Sequence, residues 1–195
     1  MHVLVVYCHP CPDSFSAAQR DAAIAGLTAA GHTVELRDLY AEDFDPTLPA
    51  AQRRAYFNEA ANAAGLEAHV DSLRHCDGLV LVYPTWWFGM PAMLKGWFDR
   101  VWLPGVAFRL GGVTALRPLL QRLRRIGVVT TYGSPWWLVW WAGRPDWLLV
   151  HRAFKPLCAP KCKVEWLALT RMDRDSPQRR TRFLATIQSR LSAWR

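Results

Sequence analysis

The sequence lacks an apolar run of membrane length. Its most hydrophobic stretch, Trp136 to Val150, is interrupted by Arg144, Pro145 and Asp146 and falls short of the roughly 20 apolar residues that a spanning helix requires. It also lacks a basic segment followed by an apolar one at its start; residues 1–8 read as a first strand, and no export is expected. The five cysteines are an odd number, which argues against a disulfide framework and for free thiols in a reducing, cytoplasmic setting. No internal repeat, low-complexity tract or linker-like stretch interrupts the 195 residues, so one domain is expected. Positive charge, by contrast, is in excess: the formal net charge is +8, carried largely by Arg117, Arg122, Arg124 and Arg125 and by Arg179, Arg180, Arg182, Arg190 and Arg195. No nucleic-acid-binding module accompanies these arginines, so they read as solvated helix faces that favour solubility and attract small anions.

What is present is an alternation of strand and helix patterns. Val3–Tyr7 is an unbroken β-branched and aromatic run, the pattern of a strand covered on both faces. An Ala-rich helix follows from Ser14 to Ala30, with Gly31 as its stop. Thr33–Asp38 reads as a short strand, Asp45–Pro49 as a Pro-punctuated loop, and the polar, Ala-rich segment through about His75 as helical. Gly78–Tyr83 is a second apolar strand halted at Pro84. Pro91 opens a helix with Met93, Leu94, Trp97, Phe98 and Val101 on one stripe. The pattern predicts a further helix over Leu116–Arg125, strands over Ile126–Thr131 and Val164–Leu169, and a closing amphipathic helix over Pro177–Trp194. Five strands in such βα units predict an α/β fold, a doubly wound five-stranded parallel sheet with helices on both faces.

In open sheets of this kind, ligands collect beyond the carboxyl ends of the strands. Three loops qualify: residues 8–16, 84–91 and 131–144. The first holds neither Gly-x-Gly-x-x-Gly nor a Walker lysine, which excludes a Rossmann or P-loop phosphate site there. Ser14 and Ser16 sit at a helix start, where hydroxyls and unpaired amides favour an anion; for Ser14 a plain N-cap is an equally good reading. The second loop, Pro84-Thr85-Trp86-Trp87-Phe88-Gly89-Met90-Pro91, packs three large aromatics into a turn. Stacking on a planar heteroaromatic ligand accounts for them better than burial, although local packing stays open. The third mixes Thr130, Thr131, Tyr132 and Ser134 with Gly133, which permits close backbone approach. The indoles of Trp136, Trp137, Trp140, Trp141 and Trp147 lie beyond it, and either a hydrophobic substrate pocket or a dimer interface would absorb them.

The stretch from Tyr83 through Val101, Tyr-Pro-Thr-Trp-Trp-Phe-Gly-Met-Pro-Ala-Met-Leu-Lys-Gly-Trp-Phe-Asp-Arg-Val, strongly resembles the signature of the NAD(P)H:quinone oxidoreductases, NAD(P)H dehydrogenases (quinone) with a flavodoxin-like fold. His9-Pro10 with Ser14-Phe15-Ser16, and Thr130-Thr131-Tyr132-Gly133, resemble that family's other two flavin loops, so the likeness covers most of residues 1–135. It implies a flavin, FMN or FAD, with NAD(P)H as co-substrate. By the same likeness His9, Ser14, Phe15 and Ser16 lie along the flavin's phosphate and ribityl chain. Pro84, Thr85, Trp86, Trp87 and Phe88 bracket its ring system, and Thr130, Thr131, Tyr132 and Gly133 edge its pyrimidine end. Phe108 resembles an aromatic that closes the substrate side, with Trp136 and Trp137 nearby. The implied reaction is ping-pong: NAD(P)H gives a hydride to the flavin and leaves, and a quinone then takes the hydride. A homodimer is implied as well, and no metal.

After Ser134 the sequence departs from the quinone-reductase pattern. A Tyr and a His that assist proton movement are replaced by Trp136, Trp137, Arg144 and Asp146, leaving Tyr132 and Arg144 as candidates for that role. Three rival readings go with the sequence. Cys8-His9-Pro10-Cys11 is placed like a thioredoxin-type redox pair. Cys8, Cys11, Cys158 and Cys162 could form a zinc site, against which Cys8 reads as a small hydrophobe ending a buried strand. The resemblance also leaves open a flavin-bearing regulatory subunit of a potassium efflux system, since some such subunits resemble this family.

Overall fold

The computed structural model describes residues 1–111 and 115–195. The first strand β1 (His2–Tyr7) leads into helix α1 (Phe15–Ala29), capped by Ser14, and strand β2 (Thr33–Asp38) follows. Two helices come next, α2 (Ala50–Ala55) and α3 (Glu67–His75), then strand β3 (Gly78–Pro84) and helix α4 (Ala92–Val101). Strands β4 (Phe108–Gly111) and β5 (Ala115–Pro118) form an antiparallel pair before β6 (Arg125–Tyr132). Two short helices, α5 (Trp136–Trp141) and α6 (Pro145–Leu148), run into a π-helical turn at Leu149–Phe154. Strand β7 (Lys163–Thr170) and helix α7 (Pro177–Ser192) complete the described chain.

The main sheet is parallel throughout, in the order β2-β1-β3-β6-β7. Counting only its own five strands, that is the flavodoxin-like order 2-1-3-4-5, as expected. Alternation along the strands divides the interior into two layers. Leu4, Val6, Leu79, Leu81, Tyr83, Ile126 and Val128 share one layer with Val70 and Leu73 of α3 and with Leu94, Trp97, Phe98 and Val101 of α4. Val3, Val5, Tyr7, Val80, Val82 and Val129 share the other with Ala17, Ala23 and Leu27 of α1 and Ile187 and Leu191 of α7. Continuous apolar runs in β1 and β3 follow from this two-sided covering, while the edge strand β2, Thr-Val-Glu-Leu-Arg-Asp, is polar.

Two expectations need correction. The helical region through His75 is broken between α2 and α3. The Asn58 side chain accepts the Ala60 amide at 3.2 Å, Asn62 donates to the carbonyls of Tyr56 (3.0 Å) and Pro104 (2.9 Å), and Gly65 turns at φ 77°. The helix expected over Leu116–Arg125 does not form. Its leucines have helical spacing, but residues up to Pro118 pair with Phe108–Gly111 as a hairpin, and the Leu120 amide is taken by the carbonyl of Leu157 at 3.1 Å. Pro118 removes a donor from any helix laid across that position, and the hairpin supplies the pairing a helix would have supplied.

Candidate functional site

The strands β1, β3, β6 and β7 end on one edge of the sheet, so the segments after them are neighbours. In register, Tyr7 stands beside Val82 and Pro84 beside Thr131, while Tyr132 stands beside Thr170. Between these segments lies a groove of about 600 Å³ lined by Pro84, Thr85, Trp86, Trp87 and Phe88 on one side and Thr131, Tyr132, Gly133 and Ser134 on the other, with Met172 and Asp173 closing one end. The second and third loops therefore meet as expected.

Their junction is fixed by hydrogen bonds. The Thr85 amide donates to the Thr131 carbonyl at 2.9 Å, and the Thr85 and Thr130 hydroxyls are 2.9 Å apart. Thr130 is wholly buried beneath the groove, so its hydroxyl joins the loops and does not face into the opening. Ahead of Pro91, Trp86 and Gly89 exchange both backbone hydrogen bonds, at 3.1 and 3.0 Å, closing a two-residue turn. Its central residues Trp87 and Phe88 hold φ of 50° and 60°. Such turns ordinarily take Asn or Gly, because a left-handed backbone costs a bulky residue about 1–2 kcal/mol. The turn leaves Trp87 98% exposed and Trp86 44% exposed, so the strain is not repaid by burial of the rings; it presents two indoles to the groove.

The first loop approaches from β1. The His9 ring lies 6.4 Å from that of Trp86, and His9 Nδ1 accepts the Cys11 amide at 3.0 Å. Ser14 is an N-cap: its hydroxyl accepts the Ala17 amide at 3.2 Å and sits 3.3 Å from the Tyr7 hydroxyl. Ser16 is buried, and Phe15 is half-buried with the Arg180 guanidinium over its ring. These residues flank the groove and do not line it.

The remaining candidates separate. The Tyr132 hydroxyl turns inward and donates to Asp146 Oδ2 at 2.8 Å; the same oxygen takes the Tyr83 hydroxyl at 3.4 Å, and Asp146 Oδ1 accepts the Trp147 amide at 2.8 Å. Burial pushes the Asp146 carboxyl above the usual carboxylate range and the two phenols above theirs, the carboxylate adding to the effect on both phenols. Arg144 stands away from the groove with its guanidinium 4.6 Å from the centre of the Trp147 ring. Phe108 lines a different depression, with Phe98, Trp102 and Phe154, and within this chain does not border the groove. Trp136 is exposed beyond it, and Trp137 borders an adjoining depression with Arg171, Arg174 and Arg179. Asp146, Met172 and Asp173 were missed as site residues. A Cβ on Gly133 would overlap the Asp173 carboxylate, so glycine there leaves room for that side chain in its present position.

The rival chemistries do not match this geometry. Cys8 is fully buried, and burial pushes its thiol up to about 12, the opposite of a reactive thiolate. Among the described residues no three of His, Cys, Asp or Glu gather as metal ligands, so Cys8 and Cys11 do not meet Cys158 and Cys162 in one site.

The family described as flavodoxin-like fold matches residues 1–190. NAD(P)H dehydrogenase (quinone) 1 of Cavia porcellus is 30% identical over 148 residues, 67% of this chain and 53% of that protein. The chain spans between 47% and 62% of the length of the first curated relatives it matches. Among solved structures, a Streptococcus mutans protein aligns over 100% of both chains with TM-score 0.86 and 30% identity. The NAD(P)H:quinone oxidoreductase of Methanothermobacter marburgensis aligns over 98% of this chain and 94% of that one, with TM-score 0.82 and 25% identity. The resemblance read from residues 83–101 and the five-stranded parallel fold are both borne out.

Proposed function

From the premise that this chain belongs to the flavodoxin-like fold family, we propose that it is a flavin-dependent NAD(P)H oxidoreductase that reduces quinones or similar small electrophiles two electrons at a time. The observation that carries the reading is the groove itself, in which two uncovered indoles on a strained turn face a wall of hydroxyls and backbone. Its size falls in the range of cofactor sites. Its walls suit a planar ring with an apolar face and a polar rim, so the residues present fit a flavin. The names of the curated quinone dehydrogenase and of the archaeal quinone oxidoreductase support the donor and acceptor classes.

A bound flavin supplies the two-electron exchange between a nicotinamide donor and the acceptor. The chain supplies position and electrostatics. Trp86 and Trp87 offer ring faces held in place by the Trp86–Gly89 hydrogen bonds. Thr131, Gly133 and Ser134 offer hydroxyls and amides to the rim, where negative charge would be stabilised by fixed donors. With Ser14 occupied as a cap, the phosphate end falls to His9, Ser16 and the first-turn amides of α1. Tyr132 and Asp146 form a buried hydrogen-bonded pair in which burial shifts both groups toward their protonated forms.

Purified protein titrated with FMN and with FAD, followed by its visible spectrum and then by bleaching on addition of NADPH, tests this reading. Uptake of one flavin and its bleaching are expected, and Trp86→Ala should weaken flavin retention on the order of 10-fold. A colourless protein that takes up neither flavin removes the assignment.

A further inference from the structure

Helix α5 reads Trp-Trp-Leu-Val-Trp-Trp, and its only buried residue is Val139. At 3.6 residues per turn, Trp136, Trp137, Trp140 and Trp141 fall within roughly 140° of arc, and Leu138 and Val139 occupy the rest of the circumference. Trp136 and Trp140 are each 66% exposed and Trp141 83%. An unbroken indole face of this kind is unusual on a protein surface and marks a contact. Beside it, Trp137 shares a depression with Arg171, Arg174 and Arg179, and that depression has Gly133, Ser134 and Asp173 in common with the groove. Arg179 is paired with Asp175 at 3.3 Å, whereas Arg171 and Arg174 make no ion pair among the described residues.

The residue types point to one occupant. Indoles combine a large apolar ring with an N–H donor and settle at the boundary between hydrocarbon and water, where both parts are satisfied. The depression beside them holds three arginines against one carboxylate, Asp173, and this excess of positive charge favours an anionic partner. A second copy of this chain docked through the same face would set one positively charged patch in the same interface as another, whereas a surface of lipid phosphates complements the charge. No helix of the described residues is long and apolar enough to cross a membrane, so the contact would be peripheral.

We propose that the Trp136–Trp141 face with Arg171 and Arg174 docks on an anionic lipid bilayer, the indoles at headgroup level and the guanidinium groups on lipid phosphates. The groove mouth then opens at the lipid boundary, from which a lipid-soluble acceptor reaches Trp87; that consequence rests on the flavin reading, and the docking does not.

Flotation of the full-length protein with vesicles tests it, using phosphatidylcholine alone and phosphatidylcholine with roughly a third phosphatidylglycerol. The protein should float with the anionic vesicles, weakly with the neutral ones, and less as salt is raised. Trp140→Ser with Trp141→Ser should lower anionic-vesicle binding by at least about 10-fold. Arg171→Gln and Arg174→Gln should each lower it about five-fold on anionic vesicles alone. Circular dichroism and flavin content should be unchanged in all of them. Absence of flotation, or equal flotation on both vesicle types, overturns the proposal. So does gel filtration in which the double tryptophan variant turns a dimer into a monomer while the parent protein ignores vesicles, since the face would then belong to a second copy. Flotation by a protein that takes up no flavin would leave the docking standing and remove only the proposed reaction.

Discussion

Two sets of tryptophans in this chain contrast, and the contrast separates what holds the fold from what the fold presents. Trp97 and Trp194 are 0% and 1% exposed. Each has its single polar atom satisfied, Trp97 by His69 Nδ1 at 3.3 Å and Trp194 by Glu165 Oε2 at 2.7 Å. The sheet is shaped around the second: a Cβ on Gly78 or on Gly127 would come within 3.1 Å of the Trp194 ring. Trp87, Trp136, Trp140 and Trp141 have none of this. They stand in solvent, Trp87 on a strained turn that borders the groove and the other three on a short helix beyond it. Burial of an indole stabilises through area and packing, so the exposed group contributes little to stability.

The largest expected effect lies in the first group. Trp97→Ala removes a ring packed edge-on against Phe98, at 5.1 Å between centroids, from the middle of the α4 layer. It should cost about 3–5 kcal/mol, read as a lowered urea midpoint with little change in slope. A loss under about 1 kcal/mol, the range of surface positions, would dissolve the distinction between the two groups.

The same contrast explains what the sequence made legible. The strands and the long helices α1, α4 and α7 were readable because their burial is periodic along the chain: Leu94, Trp97, Phe98 and Val101 lie on one stripe, and β1 and β3 are apolar on both faces. The Leu116–Arg125 segment misled because its leucine spacing is helical while its hydrogen bonds go to Phe108–Gly111 and Leu157, partners that no local pattern announces. The groove was legible as far as it depends on β3 and β6, whose end loops carry aromatics and hydroxyls in plain order. Met172 and Asp173 were not, because they reach the groove only through the pairing of β7 with β6, which brings Thr170 beside Tyr132. Asp146 stood in the sequence as a lone carboxylate in a tryptophan-rich stretch. Only the fold shows that it receives two tyrosine hydroxyls.

A smaller effect sharpens the comparison through pH. His69, which accepts the Trp97 N–H, is held well below its ordinary value, at about 4, chiefly by burial and then by the nearby positive charge of Arg37 and Arg100. The unfolded chain takes up this proton first on acidification. The stabilisation from neutral His69 is therefore complete above about pH 6.5 and declines as pH falls toward about 4, below which it is flat. The His69 side chain is 12% exposed, and after allowance for solvent screening the loss should not exceed about 2 kcal/mol. In thermal melts between pH 7 and pH 4, parent protein should lose more stability than His69→Gln, which keeps an acceptor for Trp97 and has no proton to gain. Parallel losses in the two proteins would place the acid sensitivity elsewhere.

The smallest effect is the one on which the second group depends. Trp140→Ser together with Trp141→Ser removes two of the largest apolar side chains in the protein, yet both are exposed and Val139 keeps the inner contact of α5. Stability should stay within about 0.5 kcal/mol of the parent by urea denaturation, and solubility should rise because a contiguous apolar patch is lost. If the double variant were instead destabilised by as much as Trp97→Ala, these indoles would be packing against the chain in solution. The aromatic face would then be part of the core, and neither a bilayer nor any other partner would be needed to account for it.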